Sequence, residues 1–147
     1  MEDHIVASAT RLRLRSVRYL PSFLIQIKRV QMQIESAYGN LGYELKRTEN
    51  LTFWTKSLWL NSEVLKAFHR SGTHQQGKPS LKVWCDEAVH GHWSYQKTGL
   101  PRWEDVERQL KLSGRFIPLD QPSDAHQLGQ IPDQKWSFLD NLNTDAQ

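Results

Sequence analysis

Four histidines occur as two close pairs whose spacing raises the question of chemistry. His69 and His74 lie in the stretch AFHRSGTH, and His90 and His92 flank a glycine in the stretch HGHW. Imidazole binds metals and haem, and its pKa near neutrality lets it accept or release a proton at physiological pH. The two pairs therefore raise three possibilities: a metal site, the catalytic centre of an enzyme, or ordinary residues of a small domain.

The spacing of these histidines does not favour a structural metal site. Five residues of an ideal helix turn through about 500°, so His69 and His74 diverge by about 140° unless the helix ends between them. His90 and His92 alternate on a predicted strand and share one face. Zinc sites usually use short paired motifs, and the chain has neither a Cys-x-x-Cys nor a His-x-x-x-His pair. We expect no bound metal.

The aromatic content predicts a pocket for an apolar ligand. Six tryptophans in 147 residues supply either a packed core or pocket walls. The predicted aromatic walls are Trp54, Trp59, Trp84, Trp93 and Phe68, and the predicted polar groups are Tyr43, His74, His90 and His92. Core packing is the competing explanation for each aromatic residue taken singly.

Length and composition predict one domain. The chain has enough apolar residues for one core, and its single cysteine, Cys85, cannot form an internal disulfide, which indicates a reducing compartment. No apolar run reaches the roughly 20 residues of a membrane span, and the N-terminus lacks the apolar stretch of a signal peptide. We therefore expect a cytoplasmic protein with a flexible N-terminus at 1–9, a domain at 10–112 and an irregular tail at 113–147.

The net charge of +3 is uneven, which raises nucleic-acid binding as an alternative. Residues 1–70 carry 11 Lys/Arg against 6 Asp/Glu, and four of these cations, Arg11, Arg13, Arg15 and Arg18, fall in RLRLRSVR. Leucines alternate with the first arginines, however, which is typical of a strand with one buried face. The chain has no recognition-helix, zinc-finger or aromatic RNA-binding motif, so we do not expect nucleic acid as a partner.

Hydrophobic periodicity gives the order of the elements. It predicts a strand over 10–20 with a bulge near Arg15, a helix after Pro21 and a hairpin over 41–60. A second helix is predicted to be capped by Asn61 or Ser62 and to end at Gly72, and a further helical turn to start at Pro79. A strand over 88–95 and a helix from Pro101 follow. The order β-α-β-β-α-β(-α) is that of a ferredoxin-like α+β fold with one antiparallel sheet. The predicted third strand is apolar on both faces, with Trp54 opposite in phase to Phe53. A second copy covering the helix-free face would form a homodimer.

One stretch resembles a known family. LWLNSEVLKAFHRSGTH resembles the signature of the antibiotic-biosynthesis-monooxygenase-like proteins, in which a strand ends in Trp, a capped helix carries Glu in its first turn and a Ser/Gly-His element closes the helix. The matching residues are Trp59, Asn61, Glu63, Ala67, Ser71 and His74. The nearer likeness is to the spheroidene-monooxygenase branch, through Phe68, Gly72, His74, Trp84 and Glu87. The resemblance covers about residues 10–110.

The resemblance implies a dimeric α/β barrel and a small monooxygenase acting on an aromatic or polyene substrate without nicotinamide or flavin. It makes His74 the catalytic candidate. Haem with His74 as axial ligand, in a non-enzymatic haem- or small-ligand-binding dimer, is the alternative, because the superfamily includes such proteins. The commoner family pattern has a histidine where this chain has Phe68. His69 follows one position later, about 100° around the helix, and is predicted to be exposed.

Overall fold

The computed structural model describes residues 4–137 and 139–140, except for the side chains of residues 73–76. The strands are β1 (Val6–Leu14), β2 (Asn40–Thr48), β3 (Thr52–Trp59), β4 (Cys85–Ser94) and β5 (Arg115–Phe116). The helices are α1 (Leu20–Glu35), α2 (Ser62–His69), α3 (Gly72–Trp84), α4 (Trp103–Ser113) and α5 (Asp124–Gln127).

All described strands join one antiparallel sheet in the order β2-β3-β1-β4-β5. The first four strands, with α1 between β1 and β2 and two helices between β3 and β4, give the split arrangement of a ferredoxin-like α+β fold. The predicted fold class is confirmed.

The region between β3 and β4 follows the predicted cap but not the predicted helix end. Asn61 accepts a hydrogen bond from the Val64 N–H at 3.0 Å and so caps α2. Gly72 was expected to end this helix; instead α2 ends at His69, and Gly72 is the first residue of α3. The reason is Ser71, whose extended backbone (φ −88°, ψ 162°) separates the two helices and allows a new helix to begin at once.

The start of β1 differs from the prediction. Residues 1–9 were expected to be a flexible N-terminus, whereas Val6–Ala9 are buried in β1, which lies between β3 and β4. This strand ends at Leu14, and Val17–Tyr19 form a 3₁₀ turn capped by Ser16. The irregularity in register lies between Arg13 and Leu14, not near Arg15. The first half of β1 shows little alternation of apolar and polar residues, because its small side chains are buried on both faces of the sheet.

The two faces of the sheet are covered by different parts of the chain. We call the face packed against α1, α2 and α3 the helical face, and the opposite one the tail face. As predicted, the side chains of β3 alternate between the two faces. Phe53 and Trp59 pack with α1 or α2 on the helical face. Trp54 and Leu58 point to the tail face, away from these helices. Both faces of β3 are thus buried within one chain.

The tail face is covered by α4 and the segment after it. Trp103, Val106 and Leu110 of α4 pack against Ala9, Trp54 and Val89, and the core is completed by Ile131 and Trp136. The sequence predicts an irregular tail from residue 113, whereas its described part contains β5 and α5 and packs Trp136 against the tail face. The apolar surface that motivated a homodimer is therefore covered by this chain itself.

Candidate functional site

A small cavity lies between the helical face and the helices α1 and α2. Its volume is about 70 Å³. Apolar side chains from α1 and α2 form its walls, including Ile27, Val30, Leu65 and Phe68. The strands β1, β2 and β3 form its floor.

The floor is polar because hydroxyl side chains align across the strands. In one row Tyr43, Ser57 and Ser8 are register partners, and in the next Leu45, Thr55 and Thr10 are partners. The same rows continue on β4, where His92 pairs with Ser8 and His90 with Thr10. Register partners in an antiparallel sheet share a face. The hydroxyl groups and both histidines of β4 therefore lie on the helical face.

Trp59 and Phe68 form the aromatic part of the cavity wall. Their ring centroids are 4.9 Å apart, and the indole Nε1–H of Trp59 donates to Ser57 Oγ at 2.9 Å. The indole is thereby held in one orientation beside the hydroxyl row. Both residues were predicted to line a pocket, and the structure places both there.

Tyr43 lines the cavity, and its hydroxyl already donates a hydrogen bond within the protein. Its hydroxyl donates to Glu35 Oε2 at 2.6 Å. This hydrogen bond to a carboxylate, together with partial burial, raises the pKa of Tyr43 to about 12. Tyr43 therefore stays protonated at neutral pH and cannot serve as a base there.

His69 lies at the cavity, contrary to the prediction that it is an exposed helix residue. It is half-buried and lines the cavity beside Phe68, with the two ring centroids 5.9 Å apart. The sequence places it about 100° from Phe68, which looked like the outer flank of the helix. That flank is covered because α1 packs close to the end of α2, where the Gln33 side chain donates to the Phe68 carbonyl at 3.5 Å.

His90 and His92 lie on the helical face but outside the cavity lining. Burial lowers the pKa of His90, and the charges of Arg115, His92 and Lys78 lower it further. Its imidazole is therefore neutral at physiological pH. The two histidines share a face, as their spacing predicted, but they extend the polar rows rather than border the described cavity.

The remaining predicted pocket residues lie elsewhere. Trp54 and Trp93 are on the tail face, where Trp54 packs against Trp136 with ring centroids 5.0 Å apart. Trp84 packs edge-on against Phe23 at 6.5 Å in a different core cluster. These three pack in core clusters and do not line this cavity. His74 is the third residue of α3, and its side chain lies outside the described residues.

A second cavity of about 280 Å³ lies between the end of α1 and α2. Its lining includes Ala37, Tyr38, Val64 and Ala67. Phe68 lines this cavity as well as the first. Phe68 is therefore the residue that the two linings share.

In the part of the chain that the structure describes, no group of three or more His, Cys, Asp and Glu side chains could hold a metal ion. A porphyrin is far larger than the cavity of about 70 Å³ beside His69. None of the described helices has the length and apolar character needed to cross a membrane.

The four arginines that suggested nucleic-acid binding form hydrogen bonds or ion pairs with other residues of the chain. Arg11 is buried and pairs with Glu87 at 2.7 Å, and Arg13 makes two hydrogen bonds of 2.9 Å to Asp86. Arg15 and Arg18 both donate to the hydroxyl of Tyr19 at 2.7 Å. These side chains are not arranged as a row of open phosphate contacts.

Solved structures resemble this chain in fold. SnoaB, a cofactor-independent oxygenase from Streptomyces nogalater, aligns with a TM-score of 0.55 and 12% identity over 65% of this chain and 96% of its own. The chain has the fold of the antibiotic-biosynthesis-monooxygenase-like proteins. A putative antibiotic biosynthesis monooxygenase from Caulobacter crescentus gives 0.57 at 12% identity, covering 65% of this chain and 92% of its own.

A third such structure, from Nitrosomonas europaea, gives a TM-score of 0.58 at 9% identity, covering 67% of this chain and 96% of its own. At these identities the likeness concerns the fold alone. No family model matches the sequence, and no curated protein matches it. The likeness to the spheroidene-monooxygenase branch stays a prediction.

Proposed function

We propose that the protein is a small monooxygenase-like enzyme that oxidises an electron-rich aromatic or polyene compound without flavin or nicotinamide. The observation that carries this proposal is the cavity on the helical face. It combines an aromatic wall, Trp59 and Phe68, with a floor of hydroxyl groups and one imidazole, His69. Mostly apolar walls with a few polar groups are typical of sites for small organic ligands.

The proposed chemistry begins with removal of a proton from the substrate. A neutral imidazole removes an acidic proton from the substrate, either from a phenolic or enolic O–H or from a C–H next to a carbonyl, and an enolate remains. The enolate carbon reduces dioxygen and forms a C–O bond, and the imidazolium returns its proton to give a hydroperoxide. Loss of water then leaves a carbonyl, so that one CH₂ group and one O₂ become one C=O group and one water. Trp59, Ser57 and Thr55 orient the ring.

Two histidines are proposed for the role of base, on different grounds. The family resemblance points to His74, which follows Gly72 in the signature. The geometry supports His69, whose ring borders the cavity. Separate replacement of the two residues distinguishes the two grounds.

The size of the cavity requires a local rearrangement when substrate binds. About 70 Å³ is well below the roughly 300–1,000 Å³ that is usual for drug-sized ligands. The second cavity, of about 280 Å³, is also lined by Phe68. We propose that rotation of the Phe68 ring joins the two spaces, so that a substrate of two or three fused rings fits.

A homodimer, with the substrate site in each subunit, stays part of the proposal. Because α4 and Trp136 cover the tail face, the dimer contact would use the outer side of that layer rather than the bare sheet. Light scattering on a size-exclusion column measures the mass directly.

Oxygen uptake with a hydroxyanthrone as the probe substrate tests the proposed function. Wild-type protein should consume one O₂ for each anthraquinone formed. His69→Ala, His74→Ala and the N-terminal control His4→Ala are compared, with circular dichroism to verify folding. The histidine whose loss reduces kcat at least 100-fold is the base.

If wild-type protein binds the probe but gives no oxygen uptake above the protein-free rate, the enzymatic proposal is wrong. The protein is then a ligand-binding module, the alternative function. Haem added to the protein tests the haem version of that alternative, because a ligated haem gives a Soret band that shifts when the ligating histidine is replaced.

A further inference from the structure

The outer surface of the helical layer is basic and carries no carboxylate over long stretches. Residues 15–34 contain four Lys/Arg and no Asp/Glu, and residues 64–85 contain another four and no Asp/Glu. These stretches include most of α1, most of α2 and all of α3. The chain as a whole has 16 Asp/Glu in 147 residues, so their absence from these two stretches is a local property; Glu35 and Glu63 lie just outside them.

The outward ridge of α1 combines aliphatic side chains with cations. Ile25 is 56% exposed and Met32 is 60% exposed, while Phe23 and Ile34 face the core. On an ideal helix Met32 lies about 20° from Ile25, with Arg29 about 40° to one side and Lys28 about 60° to the other. Lys28 and Arg29 are exposed. We call these four residues, Ile25, Lys28, Arg29 and Met32, the α1 ridge.

The neighbouring helix α3 also presents cations at the surface. The helices α1 and α3 pack side by side, with Gly77 of α3 so close to Gln26 that any Cβ at this position would overlap its side chain. Lys78 and Lys82 of α3 are exposed as well, so this helix also carries positive charge at the surface. Val17, which precedes α1, is 65% exposed.

We propose that the α1 ridge docks this protein on an anionic lipid surface. A helix that presents aliphatic groups between flanking cations lies in the plane of the membrane interface, with its apolar groups among the headgroups and its cations on lipid phosphates. The absence of carboxylates from residues 15–34, which include the whole α1 ridge, reduces the repulsion that would oppose such contact. This inference is independent of the reaction proposed for the cavity.

Lipid fits this surface better than nucleic acid does. Phosphate-backbone recognition needs cations but gains nothing from exposed Ile25 and Met32, and the ridge offers no aromatic ring for base stacking. A lipid interface uses both kinds of side chain. The two partners therefore predict different responses to the aliphatic substitutions.

Co-sedimentation of the full chain with vesicles tests the proposal. Vesicles of phosphatidylcholine with one quarter phosphatidylserine should bind the protein, and vesicles of phosphatidylcholine alone should bind it at least tenfold more weakly. Lys28→Gln with Arg29→Gln should weaken binding about 25-fold, at roughly fivefold for each cation. Ile25→Ser with Met32→Ser should weaken it by a similar factor. These residues are on the surface, so the variants should retain the wild-type melting temperature.

Two matched controls remove the same groups from another surface. Arg108→Gln with Lys135→Gln removes two exposed cations, and Leu112→Ser with Leu128→Ser removes two exposed aliphatic residues. Neither control should change binding more than twofold. The proposal fails if the controls weaken binding as much as the ridge variants do, or if binding does not depend on phosphatidylserine.

Two other partners of the α1 ridge would also overturn the lipid proposal. Nucleic acid is the partner if a DNA duplex binds more tightly than the vesicles do and only the cation variant weakens that binding. A second copy of this chain is the partner if the protein is a dimer that Ile25→Ser with Met32→Ser converts to a monomer.

Discussion

Arg11 on β1 and Glu87 on β4 form an ion pair inside the tail face, with Arg11 Nη1 2.7 Å from Glu87 Oε1. Both side chains are almost completely buried. The other carboxylate oxygen of Glu87 accepts a hydrogen bond from Ser123 at 2.7 Å, and Ser123 also caps α5. One carboxylate therefore connects the middle of the sheet to the tail.

Replacement of Glu87 should destabilise the protein and flatten its response to acid. Burial alone would raise the pKa of Glu87, but hydrogen bonds from Arg11 and Ser123 outweigh it and hold the pKa below the usual value of 4.5. The folded state thus binds fewer protons than the unfolded state, and stability falls as the pH drops below about 4.5. Glu87→Gln should lower the free energy of unfolding by about 3–5 kcal/mol at pH 7.

Urea denaturation from pH 3 to pH 7 measures both effects. The control Glu104→Gln removes an exposed carboxylate that pairs with Arg102, and it should cost less than about 0.5 kcal/mol. An acid dependence as steep in Glu87→Gln as in wild type would show that other carboxylates cause it.

Loss of Trp136 should destabilise the tail face. Trp136 stacks on Trp103 with ring centroids 5.6 Å apart, meets Trp54 edge-on and donates its indole N–H to Glu107 at 2.8 Å. Trp136→Ala should cost roughly 3 kcal/mol in urea denaturation. Leu128→Ala, at a site that is 71% exposed, is the control and should cost less than about 0.5 kcal/mol. Equal costs for both variants would mean that the tail does not contribute to the core.

The stability of the protein should depend on the charge of His90. Burial and the neighbouring charges of Arg115, His92 and Lys78 lower the pKa of His90 from 6.5. The unfolded chain therefore takes up the proton first, and stability declines as the pH falls below about 6.5. Proton NMR titration of the imidazole should give the lowered pKa directly. His92→Gln and Lys78→Gln should each move that pKa upwards, and an unchanged value in both variants contradicts this explanation.

A smaller side chain at position 68 should enlarge the cavity. Phe68 lines both cavities, so Phe68→Leu should join them and bind the hydroxyanthrone more tightly, although it loses about 2 kcal/mol of stability. Ala67→Leu, which fills only the second cavity, should weaken binding. Quenching of tryptophan fluorescence measures Kd for each. Equal Kd values in the three proteins would exclude a role for the second cavity.

Cys85 should be inert in the folded protein. It is completely buried, and burial together with the charge of Asp86 raises the pKa of the thiol to about 12. Since only the thiolate reacts, a chromogenic disulfide reagent should not label Cys85 at pH 8 but should label it in 8 M urea. Rapid labelling without denaturant would require that β4 opens at its first residue.

Periodicity predicted the fold because the main elements each bury one regular face. The alternation of Phe53, Trp54, Leu58 and Trp59 placed β3 correctly. The start of β1 was missed, since Val6–Ala9 are small residues buried on both sides and show no alternation. The inference that a second copy covers the tail face overlooked Ile131 and Trp136, which lie more than 70 residues from Trp54 in the chain.

The sequence by itself determined which residue types point to the same side of each strand. Ser8 and Thr10 share a face of β1, as His90 and His92 share a face of β4, because strand side chains repeat every two residues. Only the tertiary structure decided that these residues stand side by side, since pairing and register depend on contacts between distant segments. The same holds for His69. Its position on α2 follows from the helical repeat, but its place at a cavity depends on how α1 packs against that helix.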